Sequence, residues 1–414
     1  MYKKTFSIIT LGCFRNNYDS EIVARRFLDQ GYIYKEKSSS ANTMIINTCG
    51  FIDKAKEESL DAIREVISLK EKGKVKKIFV FGCLVQRYLE DLKKFFPQVD
   101  NWSGIEEFKP QLIRRKKLLP SYIDFLKICE GCINRCSYCA IPLIKGNLVS
   151  KSKTAVIKEA KLMDRAGVKE LNIIGQDITS WGKDLGKNET LTTLLADILK
   201  NTKNIRWLRL IYAHPRHLSD SLLDLVASKN RICKYIDLPI QHINDRILKL
   251  MNRGTTKREI IKLIKKIRKK IPGCVIRTSV IVGFPTETKE EFSELLQFLK
   301  EVKFDRLGAF IYSREEETPA YDLAPQIHSS TKRKRFNEVM RLQRDIAKDI
   351  NRKFLSKDLD VLIEEKDNNI YVGRSQYDAF EVDGAVFIRH KKLTIGDFYK
   401  AKIVDCLDYD LIGV

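Results

Sequence analysis

A chain of 414 residues is longer than one hydrophobic core ordinarily serves, and its 43% apolar content is enough to fill two or three. No apolar run is long enough to span a bilayer, and Met1 to Thr10 lacks the plan of a secretory leader, so a membrane span is excluded and a cytoplasmic protein is expected. The net charge of +22 points either to a polyanionic partner such as RNA or the ribosome or to lysine-rich solvated faces, while ten cysteines in a reducing compartment point to metal binding or catalysis rather than disulfides.

Three segments near the N-terminus share one plan. Phe6 to Leu11 is a short apolar run ending in Gly12-Cys13, Thr43 to Ile46 leads into Asn47-Thr48-Cys49, and Lys77 to Phe81 ends in Gly82-Cys83. Each reads as a buried strand followed by a helix, over 17–30, 52–72 and 84–96. This alternation predicts a parallel sheet with helices on its faces, whose ligands bind beyond the carboxyl ends of the strands. Cys13, Cys49 and Cys83 all stand at those ends. Any one of them is explained as a small buried apolar residue. Three at the same topological place point to convergent thiolates, and with no histidine nearby they suit a 4Fe-4S cluster with one iron left open to a small sulfur species.

A second set follows the strand expected over 122–128. Cys132, Cys136 and Cys139 form C-x3-C-x2-C, a loop that can give three thiolates to one 4Fe-4S cube. The fourth iron is then free to chelate the amino and carboxylate groups of S-adenosylmethionine (SAM), and Tyr138 before the last cysteine suits that arrangement. Cys129 extends the run to four thiols, which could close around zinc unless Cys129, ending the strand, turns away from the loop. Further strands are expected at Leu171–Gly175, Trp207–Tyr212, Tyr235–Pro239, Ile276–Gly283 and Leu307–Tyr312, with helices near 155–166, 190–201, 219–228, 256–270 and 288–302. These units predict a partial parallel (β/α)6 barrel with its chemistry at the strand C-termini. Gln176 and Gly283, at such ends, are candidate SAM contacts along with Tyr138. His214, His217 and His242 are more simply structural.

The stretch 331–354 is basic and helical in pattern, and either caps the barrel or faces RNA. Beyond it, short alternating strands at Leu359–Glu364, Asn369–Arg374, Ala385–Arg389, Phe398–Asp405 and Tyr409–Gly413 predict a small β-barrel. The chain is therefore divided into 1–115, 116–350 and 351–414. From Lys357 to Val414 twelve acids face eight bases, a net of −4, which leaves +26 on the rest of the +22 chain. An acidic module repels RNA phosphates and attracts a basic protein.

The chain resembles the methylthiotransferases of the radical-SAM superfamily over essentially its whole length. The likeness rests on Leu11-Gly12-Cys13 with Asn16 and Asp19-Ser20-Glu21, Asn47-Thr48-Cys49-Gly50-Phe51-Ile52-Asp53, Gly82-Cys83-Leu84-Val85-Gln86-Arg87-Tyr88, Ile174-Gly175-Gln176-Asp177, Asp237-Leu238-Pro239-Ile240-Gln241-His242, Val282-Gly283-Phe284-Pro285 and Tyr312-Ser313-Arg314-Glu315-Glu316. Within that family it is most similar to the branch that acts on an aspartate of ribosomal protein S-twelve, since tRNA-modifying members more often follow the second cysteine with Ser-Val-Arg. The resemblance implies that Cys132, Cys136 and Cys139 hold the SAM-cleaving 4Fe-4S cluster and that Cys13, Cys49 and Cys83 hold a second one presenting sulfur. It also implies an electron donor, a second SAM as methyl source, a ribosomal protein substrate, and a TRAM-like C-terminal β-barrel. The departures are Thr286 and Glu317, where the family commonly has Gly, and Lys145 and Lys151, where Arg is frequent. Lysine lacks arginine's planar fork for a carboxylate.

Overall fold

The computed structural model describes residues 4–36, 41–105, 114–186 and 188–414. Met1 to Lys3 of the N-terminal stretch lie outside the described residues.

The first part alternates strand and helix as its sequence pattern requires: Thr5–Thr10 (β1), Phe14–Asp29 (α1), Ile33–Tyr34 (β2), Thr43–Thr48 (β3), Asp53–Glu71 (α2), Lys77–Gly82 (β4), Cys83–Phe95 (α3) and Asn101–Ser103 (β5). The sheet is parallel throughout, in the order β2-β1-β3-β4-β5. β3 lies at its centre and is buried along its whole length. Met44 and Ile46 on β3 and Ile78 and Val80 on β4 pack with Ile63, Val66 and Ile67 of α2. Fully burying each such side chain contributes about 1.5–3 kcal/mol.

The second part carries six parallel strands in chain order. They are Ile123–Lys127 (β6), Glu170–Ile174 (β9), Trp207–Leu210 (β10), Tyr235–Asp237 (β11), Val275–Val282 (β12) and Arg306–Ile311 (β13). Two three-stranded sheets, β6-β9-β10 and β11-β12-β13, meet through the amides of Leu208 and Ala213, which donate to the carbonyls of Arg231 and Asp237 at 2.7 and 3.0 Å. The result is the partial barrel expected. Between β6 and β9 run Cys129–Glu130 (β7), Ile141–Lys145 (α4), Val149–Ser150 (β8) and Lys153–Arg165 (α5). Leu191–Asn201 (α6), Asp220–Ser228 (α7), Asp245–Leu250 (α8), Lys257–Lys270 (α9) and Lys289–Val302 (α10) complete the helices among the strands. On α9, Ile260, Ile264 and Ile267 are buried while Lys266 and Lys270 pair with Asp220 at the surface, so this basic helix is an outer barrel helix.

Ser329–Asn351 (α11) caps the barrel rather than standing free. Val339, Ile346 and Ile350 are buried, and Arg335 pairs with the buried Glu287. It leads into a closed five-stranded barrel of Asp358–Asp367 (β14), Ile370–Ser375 (β15), Val386–Arg389 (β16), Phe398–Cys406 (β17) and Leu411–Gly413 (β18), in the order β14-β15-β16-β18-β17.

The loop between β15 and β16 plugs the inside of the larger barrel. Side chains alternate across each strand, so Ile123, Phe125, Trp207, Tyr235 and Val275 face the barrel interior, where Ala379 and Phe380 pack among them. Asp378 pairs with Arg306 at 2.6 Å, and Asp383 accepts from the Tyr235 hydroxyl at 2.6 Å. This corrects the charge argument. Asp360, Asp378, Asp383 and Asp408 face Arg206, Arg306, Arg277 and Lys348 of the preceding part. Four of the module's twelve acids thus fasten it to the preceding part, and the side chains of two of them, Asp378 and Asp383, are buried and not presented to a partner. Among the described residues no helix is long and apolar enough to cross a membrane.

Candidate active site

The N-terminal cysteines stand where the parallel sheet puts them, just past β1, β3 and β4. Asn16 lies among them: its Oδ1 is 4.0 Å from the Cys83 thiol, and its amide donates to the carbonyls of Leu11 and Thr48 beside the other two. Gly12 shows how tight the cradle is. Its φ is +93°, and a Cβ there would stand 2.8 Å from the Cβ and 3.0 Å from the Sγ of Cys49. The three thiols also influence one another. Burial first, then Cys13, pushes Cys49 up to about 11, and burial, partly offset by Lys145 and reinforced by Cys49 and Cys13, pushes Cys83 up to about 12. Burial acts the same way on Cys13, but the Arg15 guanidinium, donating to its sulfur at 3.3 Å, outweighs it and holds that thiol below its ordinary value. Three thiols close enough to perturb one another, two of them buried, suit a positively charged inorganic centre that favours their ionised forms.

The second set opens into a cavity of about 300 Å3 at the strand C-termini, a size suited to a small molecule. Cys132, Cys136 and Cys139 all line it, as do Tyr138 and Gln176. Cys132 Sγ accepts from Asn134 N at 3.4 Å, and Cys136 Sγ accepts from Arg253 Nη1 at 3.3 Å. Cys129 is not with them. In β7 it is fully buried, its thiol 3.9 Å from the carbonyl of Asp177, so the four-thiol zinc arrangement is not formed. Among the described residues no three His, Cys, Asp or Glu side chains close on one point as a single metal ion requires; the three loop thiols border a space instead.

A few polar groups converge on an otherwise mostly apolar cavity wall. Gln176 Oε1, Gln241 Oε1, Arg253 Nε and His214 Nε2 are buried there without a hydrogen-bond partner, although buried polar atoms are ordinarily paired. His214 Nδ1 accepts from the amide of Arg216, so Nε2 carries the proton and is a donor. Burial first, then Arg253, lowers its pKa to about 3, so the ring stays neutral. Tyr212 and Gln241 hold left-handed backbone at φ of 69° and 70° just past their strands. Such conformations cost on the order of 1–3 kcal/mol and cluster at working sites.

Gly283 stands apart from the lining residues. Its amide donates to Glu287 at 2.6 Å, its φ is +70°, and a Cβ would collide with Lys332. The glycine serves a turn, and it is not among the residues that line the cavity. His217 and His242 are structural, held by Asp177 and Glu287, whereas His214 lines the cavity. Arg15, Asn134, Asp237, Arg253, Arg277 and Glu315 line it too and went unmarked as site residues in the sequence reading. Asp237 and Arg277 carry a signal in their strand parity; Arg253 carries none.

A buried ion network joins the two parts. Lys127 pairs with Asp19 and Glu130, and Lys145 reaches the same two carboxylates at 3.2 and 3.7 Å. Glu130 also accepts from Gln176. Lys145 and Lys151 thus meet carboxylates as single-point donors, Lys151 at 2.8 Å from Glu159.

Comparison with known proteins covers the same three parts. Residues 5–104 match "Uncharacterized protein family UPF0004", residues 126–299 the radical SAM superfamily, and residues 357–414 the TRAM domain. The solved radical S-adenosylmethionine methyltransferase TsrM from Kitasatospora setae, with cobalamin and a 4Fe-4S cluster bound, is similar with a TM-score of 0.55 over 77% of each chain at 14% identity, which shows the fold alone. Full-length relatives carry more. The ribosomal protein uS12 methylthiotransferase RimO of Caldicellulosiruptor saccharolyticus is 44% identical over 98% of both chains. Those of Desulforamulus reducens and Clostridioides difficile are 42% and 40% identical, over 99% of both chains and over 98% of this chain and 97% of that one. With two convergent cysteine sets and likeness of this extent, the chain belongs to the RimO family of radical-SAM methylthiotransferases.

Proposed function

We propose that this chain adds a methylthio group to the β-carbon of an aspartate in ribosomal protein uS12, with Cys132, Cys136 and Cys139 holding the SAM-cleaving 4Fe-4S cluster and Cys13, Cys49 and Cys83 a second one. The observation that carries the reading is that both thiol sets face the same region, spanned by Arg15, which touches Cys13 and lines the cavity with the other three cysteines. When bound, the clusters and SAM supply the radical, the sulfur and the methyl group. The residues of the chain orient and enclose. Arg253 and Asn134 donate to the loop sulfurs, and Gln176 and Gln241 offer acceptor oxygens to a polar cofactor. Tyr138 and Arg253 meet across 3.4 Å on the cavity wall. The Glu315 carboxylate, which lines the cavity, is gripped by Arg87 of α3 at 2.7 Å and Lys56 of α2 at 3.1 Å and so ties the cavity wall to the N-terminal part.

The reading divides the chain at about 115 and 350, places it in the cytoplasm, and requires an external electron donor. The test is anaerobic reconstitution followed by incubation with SAM, a reductant and uS12, free or in the ribosomal subunit. About eight irons per chain and a uS12 aspartate that gains one methylthio group support it. A modified adenosine in tRNA with unmodified uS12 refutes the substrate, and about four irons refute the second cluster.

A further inference from the structure

Arg15 is placed where the two cysteine sets meet. It stands two residues past Cys13 on the first turn of α1, yet its side chain leaves the N-terminal part. Nη1 donates to the carbonyl of Gly175 at 3.0 Å, just past β9 and next to Gln176. The guanidinium lies over the Tyr212 ring, 4.6 Å from its centroid. Nε donates to Cys13 Sγ at 3.3 Å. The same side chain lines the cavity with Cys132, Cys136 and Cys139.

The other nearby cations are committed differently. Lys145 approaches Cys83 but its ammonium is held by Asp19 and Glu130. Arg253 serves Cys136 and the carbonyl of Pro239. Among the described residues, Arg15 alone brings a side-chain hydrogen bond to an N-terminal thiol into the cavity wall. Tyr212, two residues past β10, holds left-handed backbone.

We propose that Arg15 is a positioning residue for the cluster on Cys13, Cys49 and Cys83: it donates to the Cys13 sulfur, raises the reduction potential of that cluster, and ties it to the barrel mouth through Gly175 and Tyr212. Reduction adds negative charge to a cluster, so a donor hydrogen bond to its ligand sulfur and a fixed positive charge beside it favour the reduced state. Arginine suits the task because it stays charged at every working pH and its planar fork meets the sulfur and the carbonyl together.

The inference rests on the assignment of a cluster to the N-terminal cysteines, and the experiment separates the two. The full-length chain is prepared with Cys132, Cys136 and Cys139 replaced by alanine, reconstituted anaerobically, and its iron content measured. Its midpoint potential is then read by dye titration followed by electron paramagnetic resonance. Arg15→Gln is expected to shift the midpoint to a more negative potential. Arg15→Lys, which keeps the charge and loses the fork, is expected to shift it part of the way and carries the comparison if Arg15→Gln loses its iron. Iron present with a midpoint unmoved in the loaded variants overturns the role of Arg15 alone. Absence of iron in the parent overturns the cluster assignment and this inference with it.

Discussion

Glu170 and Arg374 meet at 2.6 Å, carboxylate to guanidinium, with both side chains sealed from solvent although they come from different parts of the chain. Glu170 begins β9 and also accepts from Arg209 at 2.6 Å; Arg374 lies on β15 and also holds Glu364. Arg374 and Arg209 together hold the Glu170 carboxyl below its usual range against the effect of burial. Ions withdrawn from water are tolerated only while every partner is present. Arg374→Met leaves the buried Glu170 carboxylate with Arg209 alone and takes from Glu364 its guanidinium partner. The expected loss is about 3–5 kcal/mol of unfolding free energy, read from urea denaturation. A loss under about 1 kcal/mol would show that the small barrel does not depend on this contact.

Gly12 offers a way to disturb one cysteine set and spare the other. Alanine there must adopt a φ of +93° and push into Cys49. On the proposed assignment, Gly12→Ala is expected to lose about four of eight irons on reconstitution and to keep reductive cleavage of SAM. Parent-like iron content in a folded variant refutes the claim that the cradle needs glycine.

Lys151 couples folding to alkaline pH. It is fully buried, paired with Glu159 and bonded to the Tyr18 hydroxyl at 2.8 Å. Burial, partly offset by Glu159, lowers its pKa from 10.5 to about 8. Between those values the unfolded chain binds a proton that the folded chain does not, so stability from this group rises with pH across about 8 to 10.5. Lys151→Met removes the term. The difference in unfolding free energy, wild type minus variant, is expected to grow across that window, and a flat difference would rule the linkage out.

The sheet, the partial barrel and the terminal β-barrel were legible because each rests on a local pattern. Apolar runs ending in Gly12-Cys13 and Gly82-Cys83 mark strands and their carboxyl ends within a dozen residues. β7, β8, α4 and α8 escaped because two to six residues are too few to show a period. Arg15 and Arg253 escaped for another reason. Each reaches a sulfur through a direction its side chain takes only after separate elements have packed. The acids of the terminal module were counted correctly, but a count carries no orientation, and Asp378 and Asp383 point inward.

Thr286 and Glu317 depart from the glycine common in the family, and both fall on left-handed backbone, with φ of 66° and 63°. The two are not equivalent. Thr286 accepts from Arg246 at Oγ1 (3.0 Å) and at its carbonyl (2.8 Å), and its amide donates to Pro325. Glu317 is exposed. A residue with a Cβ in this region costs roughly 1–2 kcal/mol, and the greater freedom of glycine in the unfolded chain returns about 0.5–1 of it. Glu317→Gly is therefore expected to stabilise the chain by up to about 1.5 kcal/mol. Thr286→Gly removes the same backbone cost but also a side-chain hydrogen bond of about 1 kcal/mol, so a change near zero is expected. Paired denaturation curves read both. A stabilising Thr286→Gly would mean that the Arg246 bond contributes little, and a destabilising Glu317→Gly would mean that the left-handed turn is held by contacts of Glu317 itself.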